Sequence, residues 1–220
     1  MKKAAFFLAL AELVLCGSCS LLGIMGSKTY HEQRVPAEFL LKDAAQGGVL
    51  VFADETGAGR SEQGLRSELD EMVRMYLVKK ARIKSKNLIS NDKLSHLRSR
   101  RDDFSALSPV ELGTAAGAAA VLYIMITDYE LYEVGNREYF GGSLVTRSIL
   151  FDVASQRVLW PADGRGRVVD VGVEVETGGR EASLDRLITA TAHCITRSFY
   201  DCPKPEFRAA DERFDYSHQW

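Results

Sequence analysis

The sequence predicts a single α/β domain with one mixed β-sheet. The sheet starts with parallel strands joined through helices, continues as an antiparallel meander and is followed by a closing carboxyl-terminal helix. Three observations predict it. Short apolar runs alternate with amphipathic helical stretches up to residue 120, and strands connected through helices pair in parallel. From 120 to 177 strand-like segments follow one another across short turns, the order of a meander. A last stretch, 183–200, carries an apolar stripe of helical period. The 220 residues hold 28 Lys and Arg against 30 Asp and Glu, so the net charge gives no pointer to nucleic acid. A domain over 34–202 buries about 70% of its unfolded surface, enough for one core without staples.

The elements follow in order. "GGVLVFAD" (47–54) is an apolar run between glycine and an acidic turn, hence a buried strand. "SEQGLRSELDEMVRMYLVKKARI" (61–83) is a helix, with Leu65, Leu69, Met72, Val73 and Tyr76 on one face. Its acids lie early and its bases late, in the sense that the helix dipole favours. "NLIS" (87–90) reads as a second short strand and 91–100 as a short helix. "SPVE" (108–111) starts another helix: Ser108 caps, Pro109 suits the first turn and Glu111 completes a capping box. The small residues of "GTAAGAAA" let that helix approach the sheet closely.

"AVLYIMITDYELYEV" (120–134) is the longest strand, apolar on both faces in its first half and therefore central. "SLVTRSILFDVASQRVLWPA" (143–162) reads as two strands around an "ASQ" turn, and "GRVVDVGVEVET" (166–177) as a half-buried strand. In the closing helix Leu184, Leu187, Ile188, Thr191, Ile195 and Phe199 point inward. Residues 203–220 are charged and without period, a flexible tail.

The amino terminus sets the compartment. Met1, Lys2 and Lys3 precede "AAFFLALAELVL", the basic–apolar order of a secretory signal over 1–18, with Glu12 its one blemish. "CGSC" (16–19) resembles a bacterial lipobox, except that Cys16 stands where Leu is usual. The resemblance implies cleavage before Cys19, diacylglycerol on its thiol and a fatty-acylated (palmitate-type) new amino terminus. Residues 19–33 are then a lipidated tether. Ser20 implies outer-membrane sorting, with the domain facing the periplasm; an inner-membrane anchor is the alternative. The nearly continuous apolar run 4–25 also matches the ~20 residues of an uncleaved membrane helix. Both readings export the domain.

Few residues point to chemistry. "GAGRSEQG" (57–64) occupies the place of a phosphate loop, but Glu62 stands where a dinucleotide loop needs glycine, and no Lys-Ser/Thr follows Gly64. A basic stretch, with Lys79, Lys80, Arg82, Lys84, Lys86, Arg98, Arg100 and Arg101, is either a solvated surface or a contact for an anion or an acidic partner; aromatics for base stacking are missing. His31, His96, His193 and His218 match no metal spacing, and no cofactor motif is present. Cys194 and Cys202 could bond only if the chain turns back after Tyr200, because eight residues of helix span about 12 Å. Asp54, Glu55 and Asp128 are the acids that a hydrolase would use, but no nucleophile motif accompanies them.

"SILFDVASQRVLW" (148–160), through Phe151, Asp152, Ser155, Val158 and Trp160, resembles an element of secreted bacterial lipoproteins. Together with "GGVLVFAD", "VLYIMITDYEL" and the closing helix, it is similar to the periplasmic α/β lipoproteins related to the TolB amino-terminal domain, the curli-secretion lipoprotein and the penicillin-binding-protein activators. That resemblance implies a non-enzymatic envelope protein that binds protein partners and is held to a membrane by lipid. The expectation is an adaptor or assembly factor; an auxiliary lipoprotein of a lipid or polysaccharide exporter and a periplasmic hydrolase are the alternatives.

Overall fold

The computed structural model describes residues 33–55, 62, 64–135, 139–175 and 178–204. The leader, Cys19 and its tether, most of 57–64 and the tail from 205 lie outside the described residues.

β1 (Arg34–Val35) leads into a single helical turn, α1 (Leu41–Ala44), and then β2 (Val49–Glu55). Helices α2 (Leu65–Lys79), α3 (Asn91–Arg100) and α4 (Pro109–Ala116) follow before β3 (Ala120–Glu133) pairs with β2 in parallel, Val49 opposite Ala120. β4 (Phe140–Asp152) returns antiparallel to β3, with a register shift between Ile126 and Asp128. β4 then presents its far edge to β6 (Arg167–Val175) along Phe140–Ser148 and to β5 (Val158–Trp160) at Leu150 and Phe151. α5 (Gly179–Thr196) closes the domain, and β7 (Cys202–Pro203) pairs antiparallel with β1. The mixed sheet, its parallel start, its meander and its closing helix are all present.

The sheet separates two cores. Val49, Val51 and Ala53 of β2 pack with Leu65, Leu69, Val73 and Leu77 of α2 and with Leu187, Ile188 and Ile195 of α5. Leu50 faces the opposite layer, with Leu112 and Ala116 of α4 and the half-buried Leu94 and Leu97 of α3. A strand covered on both sides reads as an unbroken apolar run, and this is why "VLVFA" does not alternate.

α4 begins as expected. Ser108 Oγ accepts from Glu111 N–H at 3.3 Å, and Glu111 Oε2 accepts from Ser108 N–H at 2.8 Å. Removing the cap by Ser108→Ala is expected to cost about 1 kcal/mol in urea unfolding; an unchanged midpoint would contradict it. The small face of α4 lies directly on the sheet: a Cβ at Gly113 would stand 2.4 Å from Val121 Cγ2 and 2.7 Å from Val153 Cγ2.

Three expectations need correction. "NLIS" is no strand: residues Ser85–Asn87 form a 3₁₀ turn, Leu88 makes one isolated bridge to Val49, and Ser90 becomes the cap of α3, accepting from Lys93 N–H. The first long helix spans Leu65–Lys79, because Gly64 at φ 95° precedes it and Arg82 at φ 59° follows. Residue 203, read as the start of the tail, belongs to β7.

Candidate functional site

Two places on the domain stand out, at the carboxyl end of β2 and at the end of the β3–β4 hairpin.

Beyond Ala53, α2 and α3 diverge around the free edge of β2 and leave a cavity of about 420 Å³. Phe52 and Ala53 form its back, Ser67 and Asp70 one wall, Asn91 and Arg98 the other. Nearby charges are paired off in turn. Glu62 holds Arg180 through both carboxylate oxygens and accepts from Tyr129 Oη at 3.3 Å. Those guanidinium hydrogen bonds keep the Glu62 carboxyl below its usual range. Burial, followed by the Glu62 charge, pushes the Tyr129 phenol up to about 12. Asp54 lies 3.8 Å from Arg66 Nη1 and accepts from Tyr123 Oη at 3.3 Å, and Tyr123 too is raised to about 12, first by burial.

Asp70 is different. It sits on α2 next to the buried stripe and is only 7% exposed. Burial drives its carboxyl up to about 7, against the opposing charge of Arg74 and a hydrogen bond from Asn91. Its Oδ1 has no hydrogen-bond partner, and neither has Arg74 Nη1 one turn further on. Sequence reasoning passed over Asp70. The available signal was its place between Leu69 and Val73, where an acid on an otherwise apolar face requires an explanation.

The hairpin end presents Tyr132, Val134 and Tyr139, respectively 53%, 48% and 41% exposed. Tyr132 lies opposite Gly141 in the antiparallel register, and a Cβ there would come within 2.9 Å of its ring. The glycine thus seats the ring flat on the sheet. Exposed apolar groups gathered in one place mark contact surfaces, and tyrosine offers an apolar body with a polar tip.

The basic stretch does not form one patch. Lys79, Lys80, Arg82, Lys84 and Lys86 are exposed around the carboxyl end of α2, near the Leu88 bridge at the start of β2. Arg98 and Arg100 lie at the far end of α3; Arg98 sits over the Phe104 ring at 5.0 Å. Arg101 is bound to Asp103 at 2.9 and 2.8 Å.

Cys194 and Cys202 are two buried thiols with no disulfide between them. The chain does turn back at Tyr200, but Cys202 Sγ points to Tyr200 Oη at 3.9 Å, which in turn lies 3.4 Å from His193 Nδ1. His193 is a packed residue under the Tyr76 ring. Asp128 is exposed, and its Oδ1 accepts from the Tyr129 N–H; Glu55 has a buried Oε1 without a partner. Among the described residues no three His, Cys, Asp or Glu gather as for a metal, and no helix is long and apolar enough to cross a membrane.

No family model and no curated protein matches the chain. Solved bacterial structures are similar to it at low identity. Lipoprotein GNA1162 from Neisseria meningitidis is 16% identical, with a TM-score of 0.46, over 69% of this chain and 99% of that one. The PelC dodecamer from Paraburkholderia phytofirmans is 14% identical, TM-score 0.41, over 77% and 96%. The LpoB carboxyl-terminal domain from Salmonella enterica is 18% identical, TM-score 0.36, over 62% and 95%. At such values the likeness concerns the path of the chain.

Proposed function

We propose that this protein is a non-catalytic adaptor or assembly factor of the bacterial cell envelope, anchored in a membrane by lipid on Cys19, that meets a protein partner with the end of its β3–β4 hairpin. The observation that carries the reading is the group Tyr132, Val134 and Tyr139, exposed together where the longest two strands of the sheet meet their turn. Support for the anchor comes from the order of basic, apolar and small residues ahead of Cys19. Several acyl chains give durable attachment, each buried CH₂ contributing about 0.8 kcal/mol.

The contact is tested with a photo-crosslinking amino acid placed in cells at Tyr132, Tyr139 or, as a control, the exposed Asp163. One discrete adduct in the membrane fraction from 132 and 139, absent from 163, is expected. No adduct, or the same adducts from all three, refutes the hairpin as contact surface. For the anchor, Cys19→Ala is expected to abolish incorporation of a labelled fatty acid; equal labelling of variant and native protein would sink it.

A further inference from the structure

β3 runs on past the strand beside it. β2 ends at Glu55, opposite Ile126, so from Thr127 to Glu133 the outer edge of β3 has no strand neighbour among the described residues. The inner edge of this stretch is paired with β4, from Asp128 opposite Val145 to Glu133 opposite Phe140. The turn shows which way the backbone groups point. Val134 N–H donates to Tyr139 O at 2.8 Å, so Val134 and, at alternate positions, Tyr132, Glu130 and Asp128 direct their N–H and C=O groups to β4. Tyr129, Leu131 and Glu133 therefore direct theirs outward. The Tyr129 N–H donates locally, to Asp128 Oδ1 at 3.0 Å. The N–H groups of Leu131 and Glu133 meet no acceptor among the described residues. Polar backbone groups left in a row along a sheet edge are a template for a further strand.

The side chains decide which strand fits. Asp128 and Glu130 lie with Tyr132 on one face of β3; both are exposed and neither forms an ion pair among the described residues. On the other face Leu131 packs half-buried against the core, and the exposed Glu133 adds a third acid near the turn. Two copies of this chain paired edge to edge would gather Asp128 and Glu130 of both on one face, where like charges repel. A strand with basic residues on that face and apolar residues on the other meets opposite charges beside Asp128 and Glu130 and an apolar neighbour in Leu131.

We propose that the outer edge of β3, from 129 to 133, binds an extended segment of a partner protein as an added strand, with the segment's basic side chains beside Asp128 and Glu130 and its apolar ones beside Leu131. Main-chain hydrogen bonds hold a segment of this kind, and its alternate side chains select it. That the segment belongs to an envelope partner rests on the hairpin contact proposed above; the capacity of the edge to take a strand does not. Five residues of strand rise about 17 Å, so a six-residue peptide covers the edge.

The test uses the full-length, ¹⁵N-labelled chain in a non-ionic detergent, with acetyl-(Lys-Val)₃-amide as the probe and acetyl-(Glu-Val)₃-amide as its acidic counterpart. The readout is exchange of single backbone amides with water, because an added strand covers the outward N–H groups and leaves the inward ones as they were. The lysine peptide is expected to slow exchange at Leu131 and Glu133 saturably, by at least about tenfold, with no change at Glu130 and Tyr132. The glutamate peptide is expected to bind at least about tenfold more weakly, and Glu130→Lys to lose the preference between the two. No slowing at Leu131 and Glu133 up to the solubility limit, equal slowing by both peptides on the native chain, slowing scattered over the surface, or an unchanged preference in Glu130→Lys would overturn the proposal. The two readings fail separately. Crosslinks from 132 and 139 without protection at Leu131 and Glu133 remove the added strand and leave the contact, whereas protection without crosslinks removes the contact and leaves the edge.

Discussion

Replacing Asp70 by Asn is expected to stabilise the protein at pH 8 and to remove a pH dependence that the native chain shows between pH 4 and 7. The carboxyl is buried and its folded-state value is raised from 3.8 to about 7. The native state therefore holds its proton more tightly than the unfolded chain does. Below about pH 4 both states are protonated and the burial costs little. As pH rises towards 7 the unfolded state ionises freely while the native state resists, so stability falls through this window and levels off above 7. At about 1.4 kcal/mol per pKa unit the loss has an upper bound of roughly 4 kcal/mol. Asn keeps the shape and has no charge to desolvate. Urea midpoints of native and variant protein, compared at pH 5 and pH 8, decide the matter: a large gap at 8 and a small one at 5 is expected, whereas parallel profiles would mean that Asp70 is solvated.

Gly113→Ala is expected to destabilise by about 2 kcal/mol, against its helix propensity. Inside an exposed helix the same change would be favourable by about 0.8–1 kcal/mol. Here the added methyl meets Val121 Cγ2 at 2.4 Å and Val153 Cγ2 at 2.7 Å. Valine has no alternative rotamer that is cheap to reach, and overpacking of this sort costs about 1–3 kcal/mol before any shift of α4. The sheet beneath is held by β3, buried on both faces, so the helix must give way instead. Thermal and urea unfolding measure the effect. A variant as stable as the native chain would mean that α4 sits further from Val121 than described.

These two sites show where the sequence was legible. The close approach of α4 could be read from "GTAAGAAA", since small residues in a row have few other uses in a capped helix. The strands too were legible, because a run such as "VLYIMI" covered on both faces has no polar positions to confuse it. "NLIS" failed because two local preferences overrode its apolar pair: the turn at Ser85–Asn87 and the use of Ser90 as a cap left a single bridge of ladder. The site was less visible. Asp70, Asn91 and Arg98 come from two helices separated by a turn, and neither composition nor spacing announces that they face one cavity. The exposed group at the hairpin end depends on strand pairing: that Gly141 would seat Tyr132 requires the register across the hairpin. The basic stretch divides between the carboxyl ends of α2 and α3, which its order in the sequence does not reveal.

The pairing of β1 with β7 fixes where the chain enters the domain. Both lie beside the carboxyl end of α5, where Glu38 and Phe39 N–H groups meet Ser198 O and Glu38 accepts from Trp160 Nε1. Trp160 pairs with Leu150, which faces Leu122 near the start of β3, whereas Tyr132 stands near the end of that strand. Ten residues at about 3.3 Å each separate the two, some 33 Å. The chain thus enters the domain some way along the sheet from the aromatic group; on the proposed lipid anchor, a longer stretch ahead of Arg34 would let that group reach a more distant partner without altering either surface.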